Sequence, residues 1–140
     1  MHRALLGAVL AMAFTGVQAQ VPGTPSPAGA SVYIASPAHG EVVSSPFKVR
    51  FGLSGMGVAP AGVEKKNTGH HHLLIDLAES PPAGAPLPAD ANHRHFGGGQ
   101  TEVVLELPAG THTLQLLVAD HAHVPHDPPV MSGKITITVR

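Results

Sequence analysis

"FKVRFGL", Phe47 to Leu53, sets Phe47, Val49, Phe51 and Leu53 on one face and Lys48 and Arg50 on the other. A period of two marks a half-buried β-strand, because successive side chains point to opposite faces. The same rhythm recurs along the chain. "TEVVLEL" (101–107) turns Val103, Leu105 and Leu107 against Glu102 and Glu106, and "THTLQLLV" (111–118) aligns Leu114, Leu116 and Val118. "KITITVR" (134–140) aligns Ile135, Ile137 and Val139, and "SVYIA" (31–35) aligns Val32 and Ile34. No window carries a helical repeat, and turn-forming stretches such as "SPAHGEVVSSP" and "LPAGTH" separate consecutive runs. The chain therefore reads as all-β, an immunoglobulin-like antiparallel β-sandwich of about six to seven strands with long loops at one end. Six main strands are expected at 31–36, 46–54, 70–77, 101–107, 111–119 and 133–139. The connections 55–69, 78–100 and 120–132 are long, and loops of that length are more often functional than mere links.

The first nineteen residues have a different character. Arg3 gives a positive start, Ala4 to Phe14 an apolar stretch, and Val17-Gln18-Ala19 a small-x-small cleavage pattern, which together predict a secretory signal peptide over 1–19. The apolar run is shorter than the roughly 20 residues a membrane span requires, so no membrane insertion is expected after cleavage. Residues 20–30, "QVPGTPSPAGA", are rich in Pro, Gly and Ser and read as a flexible leader. A single sandwich domain over 31–140 remains, a common domain size. With no cysteine, it must be held by its core rather than by disulfides. Losing Arg3 leaves seven Lys/Arg against nine Asp/Glu and no basic run, which argues against a nucleic-acid partner.

The unusual feature is eleven histidines in 140 residues. Most fall in three bunches: "GHHHLLID" (69–76), "HRHFGGG" (93–99) and "DHAHVPHDPP" (120–129). If strands 46–54 and 101–107 are antiparallel in one sheet and 70–77, 111–119 and 133–139 form the other, all three bunches arrive at the same end of the sandwich. His39 and His112 fall at the opposite end, where a turn-capping role is expected.

Imidazoles one or two residues apart on strands or loops can close on one zinc or copper ion. His70 and His72 share a strand face, so they are expected to act together while His71 points the other way. The set expected to meet is His70, His72, His95 and His123, with His71, His93, His121, His126 and Met131 as further candidates. Thioether sulfur at Met131 or Met56 would favour Cu(I). Asp120 and Asp127 are candidates to orient an imidazole from behind. The three glycines after His95 can take positive φ and let the backbone pass close beneath the neighbouring loops.

Two other readings stand beside the metal. The histidines can form a buried hydrogen-bond network that holds the long loops of an envelope interaction or structural module, or give a pH-responsive surface. Catalysis has little support, since no Gly-x-Ser-x-Gly elbow, phosphate loop or His-Glu-x-x-His is present. A copper/zinc dismutase also builds His-x-His pairs on a sandwich, but the sequence does not place its full ligand set. No protein partner can be assigned.

"VYIASPAHGEVVSSPFKVRFGLSGMGVAPAG", "NTGHHHLLID", "HFGGGQTEVVLELPAGTHTLQLLVAD" and "HVPHDPPVMSGKITITV" together resemble domain-of-unknown-function family 4399, a group of small exported bacterial proteins, over about residues 31–139. The resemblance implies a periplasmic or secreted location and brings no activity with it. It also implies that His70, His71, His72, His95, His112 and His123 are characteristic positions, which favours His95 and His123 over His93 and His121.

Overall fold

Alternation along the sequence becomes two facing sheets in the computed structural model, which describes residue 16 and residues 19–140. The expected signal peptide, residues 1–19, lies outside the described residues except for Gly16 and Ala19. Ten strands run in chain order: β1 (Ser31–Ser36), β2 (Val42–Val43), β3 (Phe47–Ser54), β4 (Gly57–Val58), β5 (Thr68–Ile75), β6 (His93–His95), β7 (Glu102–Leu105), β8 (Gly110–Ala119), β9 (Pro125–Met131) and β10 (Ile135–Val139). The smaller sheet has the order β1-β3-β7, and the larger β2-β10-β8-β5-β4, with β6 paired to β5 and β9 paired to β8. The fold is an all-β sandwich, with strands 46–54 and 101–107 represented in the smaller sheet and 70–77, 111–119 and 133–139 in the larger, the division that the supposed order assumes. No helix among the described residues is long and apolar enough to cross a membrane.

The core lies between the sheets. Val32, Phe47, Val49, Phe51 and Leu105 from the smaller sheet meet Leu73, Ile75, Leu114, Leu116, Val118, Ile137 and Val139 from the larger. These are the inward residues of the period-two pattern, and their burial supplies the main favourable term of folding.

Three features go beyond the simple alternation. First, β5 and the second half of β8 are buried on both faces. Leu74, Leu117 and Ala119 point outward from the larger sheet and pack with Leu87, from the segment after β5, in a second apolar cluster. The outer face at the start of β5 is therefore covered rather than solvated, and polar residues placed there lose their water.

Second, the long connections carry strands of their own. The edge of β5 is occupied by β4, parallel at Gly57↔Thr68, and by β6, antiparallel at His72↔His95. The expected 120–132 loop is shorter than its composition suggests: after residue 124 the chain forms β9, antiparallel to β8 with Leu117↔Met131 and Val118↔Val130. Pro125, Pro128 and Pro129 read as loop residues, yet β9 pairs with β8 through a register shift between Val118↔Val130 and Ala119↔Pro125, a bulge in which proline is tolerated.

Third, residues 21–26 are bonded to the domain. Pro25 bridges Asp127 in parallel. Ser26 N donates to the Asp127 carbonyl (3.1 Å), Asp127 N to the Thr24 carbonyl (3.1 Å) and Val21 N to the Gly84 carbonyl (2.9 Å). Composition alone predicts a leader here, because backbone bonds to a distant edge leave no mark in a local sequence.

Candidate metal centre

Strand β5 delivers His70, His71 and His72 in succession, and the pleat separates them. His71 faces the core, its ring centroid 5.1 Å from that of Phe51. His70 and His72 face outward, each 1% exposed beneath the covering segment. Opposite them, the β6 register sets His95 beside His72. Phe96, the next residue, is buried edge-on against Phe51 and donates its N–H to the His71 carbonyl (3.1 Å), so the backbone carrying His95 is anchored although its side chain is exposed.

His123 comes from the loop between β8 and β9. Its backbone is left-handed (φ 66°), unusual for a residue with a side chain. Asp120 holds it there. Asp120 Oδ1 accepts from Ala122 N (2.9 Å) and Val124 N (3.0 Å), and the Asp120 carbonyl accepts from His123 N (3.0 Å). Its other oxygen, Oδ2, accepts from Thr24 Oγ1 (2.7 Å) and Thr24 N (3.3 Å). Burial pushes the Asp120 carboxyl up, but the bonds from Thr24, Val124 and Ala122 outweigh it and hold the group below the usual carboxylate range.

Four imidazoles from three separate segments thus converge. One ring nitrogen each from His70, His72, His95 and His123 lies within 4.8 Å of the other three, an arrangement that could hold a metal ion. His72 Nε2 is 3.0 Å from His70 Nε2, which is in turn 3.3 Å from His123 Nδ1. With metal–nitrogen bonds of about 2.0–2.1 Å, a tetrahedron has nitrogen–nitrogen edges of about 3.3 Å, so these two separations are close to those of a formed site.

Hydrogen bonding alone serves the cluster poorly. A ring nitrogen has one in-plane position, for either a proton or a lone pair. His70 Nε2 faces two nitrogens, His72 Nε2 and His123 Nδ1, and can bond well to only one of them. Burial, with added repulsion from the neighbouring rings, lowers the His70 pKa to about 4 and that of His72 to about 3. Asp120 opposes the shift at His70, so its charge is felt at the cluster without contact. Burial and His123 also lower the His95 pKa. The strand-borne pair is therefore neutral at physiological pH, with lone pairs available to a cation.

The remaining candidates lie elsewhere. His93 Nδ1 meets Asp90 Oδ1 at 2.9 Å. His126 is buried with Nδ1 donating to the Thr24 carbonyl (3.1 Å). His121 is half-buried, and its carbonyl accepts from Gly62 N (3.0 Å). Met131 lies on β9 opposite Leu117 and is partly exposed. Asp127 is bonded through its backbone to the 24–26 segment, and Met56 packs at the border of the main core. At the far end His112 Nδ1 donates to Asp76 Oδ2 (2.7 Å) and Nε2 to the Pro108 carbonyl (2.8 Å), while His39 Nδ1 accepts from Thr136 N (3.0 Å).

Two supporting residues escaped the sequence reading of the centre. Thr24 carried no local signal, since it lies 96 residues from the carboxylate it binds. Gly97 stood in a glycine run whose expected purpose was backbone freedom. Its main constraint is instead a close approach, because a Cβ there would sit 2.4 Å from His95 Cε1. Positive φ belongs to Gly99 in the same run.

Residues 49–140 match the model of a family described as a domain of unknown function, DUF4399. No curated protein and no solved structure matches the chain.

Proposed function

The chain belongs to the DUF4399 family, whose description names no activity, and we propose that it is an exported protein, periplasmic or secreted, that carries or buffers copper or zinc on His70, His72, His95 and His123. The observation that carries this reading is the convergence of four imidazole nitrogens within 4.8 Å from three segments of chain. Neutral imidazole suits both metals. A tetrahedral set favours Zn(II) or Cu(I), and flattening by ring rotation suits Cu(II).

The position of the cluster supports an exchangeable ion. His70 and His72 form a fixed, buried seat on β5, whereas His95 is exposed and His123 half-buried. Four protein ligands fill a tetrahedron and leave no position open for a substrate. A site with two ligands at the surface lets an ion be taken up and given away. The ligands bring no charge of their own, and ionised Asp120 close behind offsets part of the charge of a bound cation.

The 3.0 Å contact between His72 Nε2 and His70 Nε2 favours a second reading, in which the rings hydrogen-bond to one another and hold the covering segment to the sheet. Titration of the purified protein with Zn(II), Cu(II) and Cu(I) separates the two. The metal reading expects one ion per chain, bound more tightly than about 1 µM, or roughly 8 kcal/mol. It also expects His95→Ala to weaken binding while the metal-free fold survives. Binding weaker than that for all three ions removes the metal reading. A His95→Ala variant that destabilises the metal-free fold by about 1–3 kcal/mol supports the network.

A further inference from the structure

Thr24 is bonded to both ends of the loop that carries His123. Its hydroxyl and amide donate to Asp120 Oδ2 at 2.7 and 3.3 Å, before His123. Its carbonyl accepts from His126 Nδ1 and Asp127 N, both at 3.1 Å, after His123. Bonds to residues 120, 126 and 127 from one residue close the loop as a clasp closes a band. The Asp120 oxygen that Thr24 leaves free is spent on Ala122 N and Val124 N, which flank His123. Held in place by Thr24, Asp120 thus fixes the left-handed turn that aims the His123 ring at His70.

The residues around Thr24 add to the arrangement. Gly23 passes so close to β9 that a Cβ on it would lie 2.3 Å from the Pro125 carbonyl oxygen. Ser26 Oγ donates to the Pro128 carbonyl (2.7 Å). These contacts press a segment with no secondary structure of its own against an edge strand, next to the loop that supplies a ligand.

We propose that Thr24, with residues 23–26 as its strap, is a positioning residue of the metal centre, acting through Asp120 to hold His123 in ligating geometry. The inference rests on the metal reading of the four-histidine cluster. Residues that orient a ligand from behind typically contribute 10- to 100-fold to metal affinity. They do so by keeping a ring in register with an ion that tolerates little displacement.

The test is Zn(II) affinity, by competition with a chromophoric chelator, for the wild type, Thr24→Val, Thr24→Ser and Gly23→Ala, each also in a His123→Ala background. Thr24→Val is expected to weaken binding about 10- to 100-fold, and Thr24→Ser, which keeps the hydroxyl, to restore most of it. Gly23→Ala lifts the strap without altering any hydrogen-bonding side chain and is expected to weaken binding in the same direction. Once His123 is alanine, neither substitution should cost affinity, since coupled residues fail to add. Equal losses with and without His123 overturn the positioning role, as does wild-type affinity in both Thr24→Val and Gly23→Ala. If Thr24→Val does not fold, Gly23→Ala decides by the same cycle. A wild-type protein that binds no Zn(II), Cu(II) or Cu(I) fails the metal reading itself, a result distinct from either of these.

Discussion

Gly97→Ala should separate metal binding from folding more cleanly than removal of a ligand. The new Cβ would stand 2.4 Å from His95 Cε1, 2.7 Å from His95 Nε2 and 3.3 Å from the Ala61 Cβ. Carbon atoms rest at about 3.5–4.0 Å, so the ring must retreat by about 1 Å. Metal–ligand distances tolerate about 0.2 Å, and a displacement several times larger removes His95 from the coordination shell. The expected loss is comparable to that of an outer-shell change, about 10- to 100-fold, or roughly 1.4–2.8 kcal/mol. The metal-free fold should respond differently. Gly97 is not at positive φ, and the His95 ring is exposed, so the ring can swing into solvent without opening a cavity. A Gly→Ala change in a compatible conformation restricts the unfolded chain and adds about 0.4–1 kcal/mol of stability. Chemical denaturation of the metal-free protein should therefore give a midpoint equal to or above wild type, while competition titration gives weaker Zn(II) or Cu(II) binding. Unchanged affinity, or a metal-free fold weakened by more than about 1 kcal/mol, would refute the reasoning about His95.

Three further outcomes follow from other parts of the molecule. His71 sits against Phe51 with both ring nitrogens buried and unpartnered, so His71→Leu should stabilise the metal-free protein by about 1–3 kcal/mol and leave metal affinity near wild type; a lower thermal midpoint would contradict this. The His112 pKa is raised, chiefly by its hydrogen bond to Asp76, so the protonated pair stabilises the fold fully below the unfolded value of about 6.5 and loses that contribution as pH rises through the higher folded value. The lowered pKa values of His70, His71, His72 and His95 make stability rise with pH up to about 6.5 in both the wild type and Asp76→Asn. The His112 pair is therefore read as the difference in denaturation midpoint between the two proteins, which should shrink as pH rises from about 6.5 to 9; equal profiles would exclude the pair as the cause. Leu73, fully buried between the sheets, should cost about 2–5 kcal/mol when changed to alanine, read by urea denaturation; a loss below about 1 kcal/mol would mean that the core closes around the gap.

The parts legible in the sequence were those in which each residue's role depends on its neighbours two positions away. Phe47, Val49 and Phe51 declared their shared face, and the same rule separated His71 from His70 and His72. Chain direction then brought His95 and His123 to the same end as β5. What stayed hidden depends on contacts that local pattern cannot carry. The cluster lies on the outer face of the larger sheet, where Leu87 packs with Leu74 and Leu117 and keeps that face from being open to water. Pro125, Pro128 and Pro129 suggested a loop because local composition does not reveal that β9 pairs with β8 through a register shift. Thr24 was unreadable for a similar reason, since a threonine in a Pro/Gly/Ser stretch looks the same whether or not a carboxylate awaits it.

X-ray absorption on protein loaded with one equivalent of Zn(II) tests the centre most directly. The account predicts a first shell of four nitrogen scatterers at about 2.0–2.1 Å, with the multiple-scattering pattern of imidazole and no sulfur. It predicts three imidazoles in His95→Ala. A shell dominated by oxygen, or one with fewer than three imidazoles in the wild type, would contradict a metal centre built from His70, His72, His95 and His123.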